Sequence, residues 1–182
     1  MTQAAESSLR GKRALVTGGG QRVGQAIALA LGAQGMHVAV HYRESREGAE
    51  HSAELIREAG GSAVLVQADL AEREQARSLV DRALQLLGGL DVLVPSAANF
   101  ERIALADVDD AAWDRSLDLN LASPFALVQR AVPALRASRG SVTFISCSSA
   151  SVPMRSYLPY VVSKGAVKHL MKTLALELAP EI

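Results

Sequence analysis

Five short apolar runs, each followed by a longer stretch with helical spacing, constrain this chain more than any other feature. The runs are RALVTG (13–18), HVAVHY (37–42), SAVLVQADL (62–70), LDVLVPSA (90–97) and SVTFIS (141–146). Between them the spacing predicts helices over 24–35, ended by Gly35, over 46–59, stopping at Gly60-Gly61, and from the third strand through about Leu87. A helical region from Asp109 to Ala137 contains Pro124 and Pro133, which predict a break or kink, and a last helix spans 160–179.

Strands that alternate with helices build a parallel sheet covered on both faces. Right-handed crossovers then favour a doubly wound, Rossmann-like α/β domain. The sequence has no internal repeat and no linker, so residues 13–182 read as one domain behind a polar, mobile lead-in over 1–12. It stops two residues after ELAP, straight out of a helix. A sheet of this pattern would continue with another strand, so the C-terminal part of a longer protein is expected to be missing.

Nineteen basic side chains balance nineteen acidic ones, which gives no reason to expect nucleic acid or an anionic membrane as partner. The one cysteine, Cys147, excludes an internal disulfide framework and fits a reducing compartment. His37, His41, His51 and His169 are scattered without metal-ligand spacing, so they read as surface or partly buried histidines and no metal is expected. No apolar run reaches the ~18 residues of a membrane span, and the N-terminus lacks the apolar core of a secretory signal. The expectation is a soluble, cytoplasmic protein.

The turn after the first strand reads TGGGQRVG (17–24). A strand, a glycine turn and a helix form the setting in which backbone N–H groups receive a pyrophosphate. The strict Gly-x-Gly-x-x-Gly spacing fails, because Val23 stands three beyond Gly20. With Thr17-Gly18 and Arg22-Val23-Gly24, the turn resembles the Thr-Gly-x-x-x-Gly-x-Gly loop of the short-chain dehydrogenase/reductase family. Arg22 replaces the middle glycine, as in the pteridine reductase and dihydromonapterin reductase branch. The resemblance covers the chain from Arg13 onward. It implies cofactor contacts from Gly18, Gln21, Arg22, Val23 and Gly24, with the Arg22 guanidinium over the phosphates.

An NAD-dependent chain usually places a carboxylate at the end of the second strand to hold the ribose hydroxyls. Here that end reads HYRES, with Tyr42 in the acidic position and Arg43 and Ser45 beside it. A guanidinium there suits a 2′-phosphate, so the expected cofactor is NADPH. HYRES also resembles the His-Tyr-x-x-Ser of pteridine reductases. Asp69-Leu70 matches the family's adenine-contacting pair, and Ala97 the cofactor-facing turn after the fourth strand.

Tyr160 and Lys164, in YVVSK, lie four apart on one helix face. A free phenol has a pKa near ~10, and an adjacent ammonium is expected to lower it toward useful acid–base chemistry. The resemblance implies that Tyr160 donates the proton, that Lys164 holds the nicotinamide ribose and tunes Tyr160, and that Asn120 is the proton-relay asparagine. Thirteen residues before Tyr160, where most members have serine and pteridine reductases aspartate, stands Cys147. A thiol is a poor donor, so Ser146 or Ser148 could take the serine's place, with Cys147 and Ser148 also facing substrate.

A second departure is Pro95-Ser96-Ala97-Ala98 in place of the family's Asn-Asn-Ala-Gly. The cleft is expected to survive, its bracing rebuilt by Ser96 or by water. Phe100 falls where pteridine reductases stack a phenylalanine on the pterin, although a core phenylalanine fits the sequence as well. The leading reading is an NADPH-dependent reductase of a small C=N or C=O substrate, best a pteridine. A general carbonyl or 3-oxoacyl-thioester reductase is the alternative enzyme, and a non-catalytic NADP(H)-binding protein the alternative of another class. By resemblance the assembly would be a homotetramer.

Overall fold

The computed structural model describes residues 9–182. Five parallel strands form one sheet in the order β3-β2-β1-β4-β5: β1 (Arg13–Val16), β2 (His37–Tyr42), β3 (Ser62–Gln67), β4 (Val92–Val94) and β5 (Ser141–Val142). Between them run α1 (Arg22–Ala33), α2 (Arg46–Glu58), α3 (Arg73–Leu87), α4 (Asp110–Leu117) and α5 (Ser123–Ser138), and α6 (Leu158–Leu178) follows β5. This is the doubly wound α/β architecture that the alternation predicts.

The period of two along each strand sorts the core into two layers. Ala14 and Val16 of β1 and Val38 and Val40 of β2 pack with Ala28, Ala53 and Ile56 of α1 and α2. Leu15 and Ala39, on the opposite face, pack with Leu79, Val80, Leu127 and Leu135 of α3 and α5. Both layers are closed to water, so a Leu15→Ala cavity costs on the order of 2–5 kcal/mol.

The strands end earlier than their apolar runs do. β1 stops at Val16 rather than residue 18, β3 at Gln67 rather than 70, β4 at Val94 rather than 97, and β5 at Val142 rather than 146. The remaining apolar residues peel away from the sheet into the loops that wall a cleft. α1 begins at Arg22, two residues before Gly24, and Gly35 (φ +80°) turns the chain after it.

The prolines act differently from expectation. The irregularity lies before Pro124, as a π-helical turn over Asp118–Ala122, and Pro124 itself is the second residue of α5. Proline has no N–H to give the carbonyl four residues back, that of Asn120, so the wider turn falls there. Pro133 sits inside α5, which continues to Ser138. Of the lead-in expected over 1–12, residues 1–8 lie outside the described residues. Within residues 9–12 the Gly11 N–H donates to Gly35 O at 2.9 Å, and Leu9 lies against the core.

Candidate active site

In a parallel doubly wound sheet the carboxyl ends of the strands open a crevice where the strand order reverses. Here β1 is that point, flanked by β2 and β4, and the crevice is a cleft of about 630 Å³. One half is walled by the turn after β1 and the end of β2, with Gly18, Gln21, Arg22, Val23 and Gly24 facing Tyr42, Arg43 and Ser45. The other half is walled by Ser146, Cys147, Tyr160, Lys164 and Phe100, while Leu70 and Ala97 lie along its length. Three singled-out residues, Asp69, Ser148 and Asn120, do not line it.

The glycine turn is held by close approach. A Cβ on Gly24 would stand 2.2 Å from Gly18 O, so the start of α1 presses on the turn. Gly18 is in the left-handed region (φ +66°) and a Cβ there would meet Ala97 Cα at 3.1 Å. Arg22 also takes a positive φ, +51°, which costs an L residue about 1 kcal/mol. Gln21 caps α1 without a side-chain hydrogen bond. The first-turn N–H groups of α1 therefore face the cleft uncapped, and with the Arg22 cation nearby this donor set suits a pyrophosphate.

At the β2 end, Arg43 pairs with Glu44 at 2.9 Å on the surface, and Ser45 caps α2. Asp69 turns its carboxylate inward along the chain, accepting the Ala71 N–H at 3.0 Å, and so shapes the bend that presents Leu70.

The turn after β4 is braced by the Thr17 side chain. The Thr17 hydroxyl accepts the N–H groups of Ser96 at 2.9 Å and Ala97 at 3.0 Å. Pro95 needs no donor, since the strand has already ended at Val94.

The reacting half rests on Asn120. It is 1% exposed and its Oδ1 accepts the Asn99 N–H at 3.0 Å, while its Nδ2 donates to Asn99 O at 3.3 Å and Ser163 Oγ at 3.0 Å. The Ser163 hydroxyl in turn donates to Tyr160 O at 2.7 Å. The π-helical turn is thereby fixed to the first turns of α6, which carry Tyr160.

Lys164 is 7% exposed, donates to Ile145 O at 3.2 Å, and sits 5.8 Å from the centre of the Tyr160 ring. Burial lowers its pKa, partly opposed by Cys147. The Tyr160 hydroxyl is pushed up to about 12, by burial first and then by the hydrogen bond to Cys147 and its charge. The lowering expected from Lys164 is absent, and burial and Cys147 set the direction of the shift.

Cys147 is drawn down to about 7, by the Ser149 hydroxyl first, then the Ser149 backbone and the Tyr160 hydroxyl. Ser149 completes no hydrogen bond of its own, so it acts on the thiol as a nearby dipole. Ser148 Oγ lies 4.0 Å from the sulfur. Phe100 is no core residue: it is 51% exposed, stacks on Tyr157 at 4.5 Å and meets the Tyr160 ring edge-on at 4.7 Å.

Sequence reasoning missed Thr17, His41, Ser163 and Tyr157. His41 stands two residues after buried Ala39 on the same face of β2, a spacing that signals its burial at 2% exposure. Among the described residues, no helix is long and apolar enough to cross a membrane.

Known proteins resemble this chain in sequence and fold. The family model for short chain dehydrogenases matches residues 12–182. An uncharacterized oxidoreductase of Methylorubrum extorquens is 40% identical over 174 residues, which are 96% of this chain and 70% of that protein. A 3-oxoacyl-(acyl-carrier-protein) reductase of Staphylococcus aureus is 34% identical over 169 residues, 92% of this chain and 69% of that one. A solved short chain dehydrogenase from Burkholderia cenocepacia, in complex with NADP, superposes with a TM-score of 0.91 at 36% identity, covering 95% of this chain and 71% of its own. An NADH-dependent reductase complexed with NAD superposes with a TM-score of 0.91 at 28% identity, covering 96% and 76%. The cleft at the carboxyl edge of this sheet is thus that of an oxidoreductase family, and the chain belongs to the short chain dehydrogenases.

Proposed function

We propose that the protein is an NADPH-dependent reductase of a carbonyl substrate. The observation that carries this reading is that Tyr160, Lys164 and Cys147 line the same cleft as the glycine turn. The dinucleotide, when bound, supplies the hydride. The protein's part is to place and protonate. The first-turn N–H groups of α1 and Arg22 bind the pyrophosphate, and Tyr42, Arg43 and Ser45 receive the 2′-phosphate, with no carboxylate at position 42 to repel it. NADP and NAD are each bound in one of the two similar structures, so the preference for NADPH rests on these side chains.

Tyr160, raised to about 12, is protonated at neutral pH and gives its proton to the substrate oxygen. The buried Lys164 ammonium holds the nicotinamide ribose. Asn120 keeps the start of α6 in register with the cleft. A cytoplasmic homotetramer is the proposed setting, in keeping with apolar Phe125 on α5 and Met171 and Leu176 on α6, all exposed in the single chain.

A pteridine is the second substrate reading, favoured by the half-exposed Phe100 ring at the mouth of the cleft. No carboxylate lines the half around Phe100, Cys147 and Tyr160, which favours a carbonyl compound such as a 3-oxoacyl thioester. The deciding experiment follows NADPH consumption by the full-length protein with an acetoacetyl thioester and, separately, a dihydropterin. Oxidation with the thioester supports the carbonyl reading, and oxidation with the pterin alone replaces it. Binding of NADPH with neither oxidation would favour a non-catalytic binding protein.

A further inference from the structure

Two glycines of the turn after β1 are held by one residue that none of the roles above uses, Gly18 by its side chain and Gly19 by its backbone carbonyl. His41 is 2% exposed, on the face of β2 shared with Ala39. Its Nδ1 accepts the Gly18 N–H at 3.0 Å, and its Nε2 lies 3.1 Å from Ala68 O. A backbone N–H can only donate and a carbonyl can only accept. The ring is therefore neutral, with its proton on Nε2. The backbone carbonyl of His41 takes the next donor as well, the Gly19 N–H at 2.9 Å.

These bonds decide which donors remain for an anion. The N–H groups of Gly18 and Gly19 are both consumed by His41, leaving those at the uncapped start of α1. The same ring reaches Ala68, one residue before Asp69-Leu70, so it ties the glycine turn to the end of β3. An apolar side chain of equal size would fill the space and leave both Gly18 N–H and Ala68 C=O unpaired. A protonated ring would set N–H against N–H at Gly18. The charges acting on the ring are Arg82 of α3, which opposes protonation, and Asp69 after β3, which favours it. The turn residues that His41 holds, Gly18 and Gly19, carry no charge.

We propose that His41 is the positioning residue of the dinucleotide site, a neutral imidazole that holds Gly18 through Nδ1 and anchors it to β3 through Nε2–H. The proposal rests on the reading of this cleft as the NADPH site. It is tested on the full-length protein by titrating NADPH fluorescence against wild type, His41→Phe and His41→Asn, with kcat at saturating NADPH and the 15N spectrum of labelled histidine recorded alongside.

His41→Phe should weaken NADPH binding by about tenfold or more, with a far smaller change in kcat, since the Gly18 N–H and the buried Ala68 C=O lose their bonds. His41→Asn, whose amide can accept from Gly18 and donate toward Ala68, should restore most of the affinity. The spectrum should show a neutral ring protonated at Nε2 at pH 7. Unchanged affinity in His41→Phe, equal impairment in His41→Asn, or a ring protonated at Nδ1 would each overturn the proposal. Should His41→Phe not fold, His41→Asn and the spectrum still decide. Failure of wild type to bind either NADPH or NADH would instead overturn the reading of the cleft, and the cofactor role of His41 with it.

Discussion

The Thr17 hydroxyl, one residue past β1, accepts the backbone N–H of Ala97, three residues past β4, at 3.0 Å. A second bond, from Ser96 N–H at 2.9 Å, makes Thr17 the clasp between two loops that face each other across the cleft. Its removal leaves two donors without a partner in a site that is 1% exposed at Thr17. Thr17→Val is expected to destabilise the fold by roughly 2 kcal/mol, and Thr17→Ser to recover most of it. Urea unfolding of the three proteins measures this; equal midpoints for Val and Thr would show that the clasp carries no stability.

Arg22 stands at φ +51° without glycine's freedom. Arg22→Gly should remove about 1 kcal/mol of strain, less what glycine adds to the freedom of the unfolded chain. The same change should weaken NADPH binding several-fold by deleting the cation over the phosphates. Thermal midpoints and NADPH titration read the two effects separately. A variant that is no less tightly bound would remove Arg22 from the phosphate site.

Cys147, with a pKa drawn to about 7, becomes anionic near neutral pH and faces Tyr160. A thiolate opposes the negative charge that develops on a substrate oxygen. Reduction should therefore slow as pH rises through about 7, and Cys147→Ser should abolish that inflection while raising kcat. The pH dependence of kcat for both proteins checks this.

Tyr160→Phe deletes the proposed acid and keeps the ring. Turnover should fall by about 10²–10⁴-fold while NADPH still binds. Steady-state rates with an NADPH titration on the same sample test it, and unchanged turnover would remove Tyr160 from the mechanism.

Buried His41 carries a pKa lowered to about 4, by burial first, against 6.5 in its ordinary state. Its folded pKa is depressed, so the unfolded chain binds the extra proton between pH 6.5 and 4. Stability should therefore fall as pH drops through that window, by roughly 3 kcal/mol in total, and His41→Asn should flatten the decline. Denaturant midpoints at pH 7, 5.5 and 4.5 measure it.

The sequence by itself determined the layers: alternating apolar runs and helical spacings leave few ways to bury both faces of a sheet. It also determined the chemistry-bearing residues of α6, because a spacing of four puts Tyr160 and Lys164 on one helix face in any environment. Tertiary structure decided what those residues experience. Only packing buries the Tyr160 hydroxyl beside Cys147, and so raises a phenol that spacing alone predicts to be lowered. Only the wide turn before Pro124 buries Asn120 behind the cleft, and only the stacking of Phe100 on Tyr157 keeps that ring at the mouth instead of the core. Thr17 and His41 stayed hidden for the same reason. A local pattern reports which face of an element is buried, whereas their partners, Ala97 and Ala68, lie 80 and 27 residues away and meet them only when the sheet assembles.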